Sequence, residues 1–251
     1  MTIWEAHKQH WNAMKNKSFQ ERLAYFWQYY GIQTVAILAA VAVVIGFIVN
    51  LVTKKDYAFT GVFFGAQLQA SSDAYLQDFA QKANIDLTEY DMSIQTRLNI
   101  HMDQTLTQEL YTSMEAFYAM VATGSVDCFT GELDLMLYYA YMEYATDLRT
   151  VLTAEELTAL APYLHYIDGA LIAQQEADNG GLADAYAQRP DSTKPELMGD
   201  PIPVAVSLSA ATDACKQAYQ FGENAAICIC ASSEHSQNAL AFLRYCFGLS
   251  L

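Results

Sequence analysis

A chain of 251 residues, 53% of them hydrophobic, is long enough to bury a sizeable core, and its formal charge of −15 is unevenly spread. From Asp56 to Leu251, 7 Lys and Arg face 26 Asp and Glu, a formal 7 − 26 = −19, whereas the first 33 residues carry 4 Lys and Arg against 2 Glu. So acidic a C-terminal part is repelled by nucleic-acid phosphates and by anionic lipid headgroups, which excludes DNA and RNA as partners.

At the N-terminus, Trp4, His7, Trp11 and Met14 fall on one helical face, the pattern of a helix lying in the plane of the inner leaflet. Ser18-Phe19-Gln20-Glu21 has the spacing of a capping box and predicts a helix from about Phe19. Gly31 to Thr53 holds no charged residue, and as a helix spans about 34 Å, enough to cross the hydrocarbon core. Its length, the long leader before it and the lack of a small-x-small site before Lys54 separate it from a secretory signal peptide. Tyr25, Phe26, Trp27, Tyr29 and Tyr30 crowd one edge and Lys54 and Lys55 mark the other, as at membrane–water boundaries. The basic excess before the segment predicts residues 1–30 as a cytoplasmic head, 31–53 as a transmembrane helix and 54–251 as an extracytoplasmic domain.

Beyond the membrane segment, β-type and helical patterns alternate, which predicts an α/β domain with a mixed sheet flanked by helices. Strands are expected at Tyr57 to Phe64, within Met92 to Ile100, at Val126 to Phe129, at Val204 to Leu208 and at Ala225 to Cys230. Helices are expected from Ser71 or Ser72 to Ala83, from an Asp103 cap to Gly124, and from Gly131 to Tyr144. Further ones begin at a Thr153 cap, near Ala211, and at Glu234. Asp168-Gly169 predicts a hairpin within Tyr163 to Ala173, and the breakers of Asn179 to Pro203 a loop, either plain or with one helical turn.

Five cysteines at irregular spacings, Cys128, Cys215, Cys228, Cys230 and Cys246, do not form a disulfide framework and are expected as small buried hydrophobes. Cys228 and Cys230 would share one face of their strand. The phosphate-loop, dinucleotide, nucleophile-elbow and zinc-protease signatures are absent, and no enzyme, cofactor or metal is expected. Asn84, Asp86, Glu89 and Asp91 lack the order of a calcium loop and read as a solvated turn. His101-Met102-Asp103 offers two ligand types on one strand face, but Asp103 is better placed as a helix cap. Ser232-Ser233-Glu234-His235, between an apolar strand and an amphipathic helix, reads as a helix N-cap rather than hydrolase chemistry. Tyr138, Tyr139, Tyr141 and Tyr144 cannot share one helical face, so some are expected at the surface as partner contacts.

Three stretches resemble a known family: Tyr-Phe-Trp-Gln-Tyr-Tyr at 25–30, Gly-Ser-Val-Asp-Cys-Phe-Thr-Gly at 124–131, and Ile227 to Leu243. They are similar to membrane-tethered extracytoplasmic solute-binding proteins of the type 2 periplasmic-binding fold from Gram-positive bacteria. Only about 30 residues lie between Ala173 and Pro203, where a second lobe would be inserted, so the resemblance is to a single lobe. It implies a membrane-tethered, non-catalytic binding module that contacts a protein partner in the envelope, besides the lipid of the cytoplasmic membrane. The alternative is a substrate-binding or sensing component of a transporter, with a small-molecule ligand. In an α/β sheet ligands approach the carboxyl ends of the strands, which points to Gln67, Ser71 and Ser72 in one loop and Thr130, Gly131 and Glu132 in another. Helix N-termini at Ser71 and Gly131 would suit an anion there.

Overall fold

The computed structural model describes residues 18–102, 107–178 and 180–251. The chain divides into two compact units, one ending at Lys54 and the other running from Lys55 to Leu251. In the first, α1 (Phe19–Thr53) is a single 35-residue helix. It starts where the capping box predicts: the Ser18 N–H donates to Glu21 Oε2 at 2.9 Å and the Glu21 N–H to Ser18 Oγ at 3.4 Å. Tyr30–Val49 within it is long and apolar enough to cross a membrane. The in-plane helix expected around Trp4 to Met14 lies outside the described residues.

The second unit is an α/β domain around a mixed six-stranded sheet. Its strands are β1 (Asp56–Phe63), β3 (Tyr90–Gln95), β4 (Cys128–Glu132), β5 (Leu164–Asp168), β6 (Pro201–Ser207) and β8 (Ala225–Ile229), in the order β3-β1-β4-β8-β6-β5. β1 runs parallel to both β3 and β4, whereas β8 is antiparallel to β4 on one side and β6 on the other. A small second ladder joins β2 (Gln67–Leu68) to β7 (Tyr219–Gln220). Strands buried on both faces carry near-continuous apolar runs, as Ala225 to Ile229 does.

Alternation along the strands feeds two cores. Phe59, Phe63, Ile227 and Ile229 face α2 (Ser72–Lys82), α8 (Asp213–Ala218) and α9 (Ser236–Phe247), with Phe59 stacked 4.5 Å from Phe242. Val62, Phe129, Ala226 and Cys228 belong to the other core, with α3 (Gln108–Ala122) and α4 (Leu133–Tyr141). Cys228 and Cys230 share that second core, as strand alternation predicts, and all five thiols are free and buried. Tyr139 and Tyr141 are fully buried and Tyr138 and Tyr144 half-buried, because Tyr118 and Tyr186 pack over them; none of the four stands free at the surface.

Several expected boundaries move. Gly131 opens no helix: β4 continues through it to Glu132, since Gly131 and Glu132 pair with Ala226 and Ala225, and α4 starts at Leu133. α3 is capped by Thr107, whose Oγ1 accepts the Leu110 N–H at 3.1 Å, and Asp103 lies outside the described residues. The expected loop from Asn179 to Pro203 holds α7 (Leu182–Ala187) and the start of β6. Near Thr153 the prediction holds: it caps α5 (Ala154–Leu160) in a full capping box with Glu156.

Asp168-Gly169 forms no hairpin. Asp168 ends β5 and caps α6 (Gly169–Ala177), its Oδ1 accepting the N–H groups of Ala170 and Asp200, and its Oδ2 that of Gly199, each at 3.0 Å. The carboxylate thereby ties the start of β6 to the end of β5, a long-range role that a turn dipeptide cannot announce. Burial pushes the Asp168 carboxyl upward, but the backbone donors of Asp200, Gly199, Ala170 and Leu171 outweigh it and the net shift is downward. A depressed folded pKa adds stability that is fully present above the unfolded value near 3.8 and is lost as pH falls through the folded one. Asp168→Ala is expected to cost about 2–3 kcal/mol in urea denaturation at neutral pH, a difference that shrinks below about pH 4.

Candidate functional site

Along the sheet, the chain leaves β1 for β3 on one side and then crosses to β4 on the other. The gap between the carboxyl ends of β1 and β4 is thus the topological switch point, where ligands of open α/β sheets bind. Gly65 turns the chain there with φ +67°, a conformation that favours glycine, and a side chain at Gly65 would stand 3.3 Å from the His101 ring. His101 Nε2 bonds Asn99 Oδ1 at 2.8 Å, and its Nδ1 lies 4.0 Å from Glu132 Oε2. Glu132 is exposed, so one sequence-predicted residue does face this crevice, joined by His101 from a segment picked out for a different reason.

The other five predicted residues are placed differently. Thr130 is fully buried within β4, and its Oγ1 has no hydrogen-bond partner among the described residues. Gly131 is also buried: a Cβ there would meet Met136 at 3.0 Å and Phe64 at 3.2 Å, so the glycine lets α4 approach the sheet. Gln67 pairs with Gln220 in the small ladder. Ser71 does not cap α2 with its side chain, because its Oγ donates to the Gln217 carbonyl at 3.0 Å. Ser72 is the buried first residue of that helix. Gly131 therefore offers no helix N-terminus for an anion, whereas α2 does begin beside Ser71, with Ser71 Oγ turned to Gln217 and Ser72 buried.

Sequence reasoning missed the larger feature of this end. A cavity of about 440 Å³ is lined by Ser207 at the end of β6, Ser209 just after it, Lys216 on α8, and the turn Phe221 to Asn224 before β8. The Leu133 N–H donates to the Asn224 carbonyl at 3.1 Å, which joins this turn to the start of α4 and so to Glu132. Lys216 Nζ donates to the Ser209 carbonyl at 2.7 Å and stands exposed at the wall, one of few cations in an acidic domain. Gly222-Glu223-Asn224 ahead of an apolar run signals a turn, but nothing local places Lys216 beside it.

At the opposite end of the sheet, Asp127 is almost fully buried and gathers a polar cluster. Its Oδ2 accepts the Thr60 N–H at 2.6 Å and its Oδ1 the Ser233 hydroxyl at 2.5 Å; His235 Nδ1 lies 3.5 Å from that same Oδ1. Ser, His and Asp are together, yet the order is wrong for nucleophilic catalysis. The serine proton goes to the carboxylate, so the imidazole is no base for that hydroxyl. Nor is the segment a helix cap: α9 begins at Ser236 with no side-chain cap, Ser232 Oγ donates to the Val121 carbonyl, and Ser233 Oγ accepts the His235 N–H. The cluster locks the turn after β8 onto β1 and β4. In the acidic turn at 84–91, Asp86 Oδ1 is taken by Thr88, whose N–H and hydroxyl both reach it at 2.7 Å.

No family model matches the chain, and no curated protein or solved structure matches it. The functional reading therefore rests on this geometry. Asp127→Ala is expected to lower stability by about 3 kcal/mol, because it orphans the buried Thr60 N–H and the partly buried Ser233 hydroxyl together, and Ser233→Ala by about 1 kcal/mol. Urea midpoints of the two variants measure the difference; equal, negligible shifts would contradict the locking role.

Proposed function

We propose that the chain is a membrane-tethered, non-catalytic binding module whose globular domain lies on the extracytoplasmic side, related to one lobe of a type 2 periplasmic-binding protein. Its binding face is the carboxyl end of the sheet, and the partner it fits is another protein of the cell envelope. The observation that carries this reading is the cavity between Ser207, Lys216 and the turn at 221–224, together with Glu132 and His101 at the switch point. All of these groups come from one compact unit built on one sheet. A solute seated there keeps a solvated face, so it gains contacts on one side only, which suits about millimolar affinity, near −4 kcal/mol. A protein surface can instead cover the cavity and its rim over roughly 800 Å² per side. Support for the membrane setting comes from the apolar window Tyr30–Val49 and from the sorting of basic residues before it and acidic ones after it.

The alternative, a solute-binding or sensing component of a transporter, draws on the same cavity, because Lys216 provides a cation for an anionic group. Calorimetry separates the two. With the full chain in detergent, sugars, amino acids and small carboxylates are expected to bind no tighter than about millimolar. Micromolar affinity for any of them, abolished by Lys216→Glu, would establish the solute-receptor reading instead. Topology is tested independently: protease added to intact cells is expected to digest the part beyond Lys55 and spare the head, and protection of the C-terminal domain would overturn the orientation.

A further inference from the structure

A second cavity, of about 510 Å³, opens at the amino end of the sheet beside the Asp127 cluster. Asp56, Tyr57 and Tyr90 line it from the amino ends of β1 and β3, where Asp56 pairs with Tyr90. Glu234 and His235 line it from the turn after β8. Gly124 shapes that part of the wall: its φ of +67° favours glycine, and a Cβ there would come within 2.8 Å of Glu234 Cγ, so the bare backbone lets the Glu234 side chain lie against it. The Glu234 N–H donates to the Gly124 carbonyl at 3.3 Å. Asp127 fixes the surroundings, because it accepts both the Thr60 N–H and the Ser233 hydroxyl.

The lining favours positive charge. No Lys or Arg contributes to it, and neither exposed carboxylate, Asp56 or Glu234, has an ion-pair partner among the described residues. Lys55, next in sequence to Asp56, is engaged elsewhere, its Nζ donating to the Leu87 carbonyl at 2.6 Å. The Glu89 carboxylate beside Tyr90 pushes its phenol above the ordinary range and adds negative charge nearby. Tyr57 and Tyr90 are 46% and 37% exposed, so ring surface is open to a cation. Thr60 gives an independent sign of a ligand. It also lines the cavity, is only 6% exposed, and its hydroxyl has no hydrogen-bond partner among the described residues. Strand alternation puts that side chain on the face of Val62 and Phe64, towards α3, and Gly124 and Ser125 of the cavity wall follow directly after α3. Among the described residues no three His, Cys, Asp or Glu side chains are grouped to hold a metal ion, so the carboxylates and rings together fit an organic cation.

We propose that this cavity binds a small free organic cation with N–H donors, an alkyl ammonium or guanidinium compound. Asp56 and Glu234 balance its charge, its apolar stem lies against Tyr57 and Tyr90, and an N–H is accepted by Thr60 Oγ1. The site is at the opposite end of the sheet from the candidate binding face, so it does not depend on which partner binds there.

The test is calorimetry on the full chain in detergent with agmatine as the probe. A dissociation constant below about 1 mM is expected. Arginine, which brings a carboxylate up to Asp56 and Glu234, and tetramethylammonium, which has no N–H, are each expected to bind at least about tenfold more weakly. Asp56→Asn and Glu234→Gln are each expected to weaken agmatine binding about tenfold. Glu196→Gln, which removes an equal charge from the exposed segment ahead of β6, is expected to leave it unchanged. Thr60→Val keeps the shape of the side chain and is expected to weaken binding about fivefold without lowering the melting temperature, since the hydroxyl it removes has no partner in the free protein. No binding at about 10 mM agmatine, equal affinity for arginine or tetramethylammonium, or full affinity in Asp56→Asn and Glu234→Gln would overturn the proposal.

Discussion

The domain depends on one late strand. β8 is the last strand in the chain, yet it lies in the middle of the sheet, antiparallel to β4 over Ala225–Ile229 and to β6 at Ala226 and Ile227. Without it, β3-β1-β4 and β6-β5 would be two separate ribbons, each with an open edge. Its five residues are all buried, and they alternate Ile227 and Ile229 into one core with Ala226 and Cys228 into the other, so both cores close only when it is in place. Contacts this far apart in sequence carry the loop-closure cost that slows β-rich folding.

Both candidate centres are extensions of that strand. Before β8, the turn Phe221 to Asn224 builds the cavity wall and is fastened to α4 through the Asn224 carbonyl. After it, Ser233 and His235 return to Asp127, which also holds the Thr60 N–H of β1. A buried carboxylate with this many donors rigidifies its surroundings, and removing it leaves several polar groups unpaired. One end of the sheet is therefore locked, and the other is left open at its rim. This division is what the proposed binding module requires: a fixed base and an accessible rim.

Much of the framework was legible because its signals are local. The charge-free run after Gly31, the Ser18–Glu21 and Thr153–Glu156 boxes, the spacing of Leu110, Met114, Phe117 and Val121, and the apolar run at Ala225 to Ile229 each identify their element from neighbouring residues alone. What escaped was decided at a distance. Asp168-Gly169 is as good a turn as it is a helix start, and Gly199 and Asp200 settle the matter. Gly131 stays in its strand because Ala226 pairs with it. Ser71 is drawn away from its own helix by Gln217. For the site, the crevice at the strand ends was foreseeable from topology and Glu132 was placed there; Lys216 and the 221–224 turn were not, since their meeting with Ser207 exists only once β8 is inserted.

Amide hydrogen exchange on the full chain in detergent tests the closing role of β8 directly. The account predicts that the amides of Ala226 to Ile229 exchange only with global unfolding of the domain, at the same free energy as those of β1 and β4. Exchange of β8 at a much lower opening energy, while β1 and β4 stay protected, would contradict it: the sheet would then hold together without its central antiparallel strand.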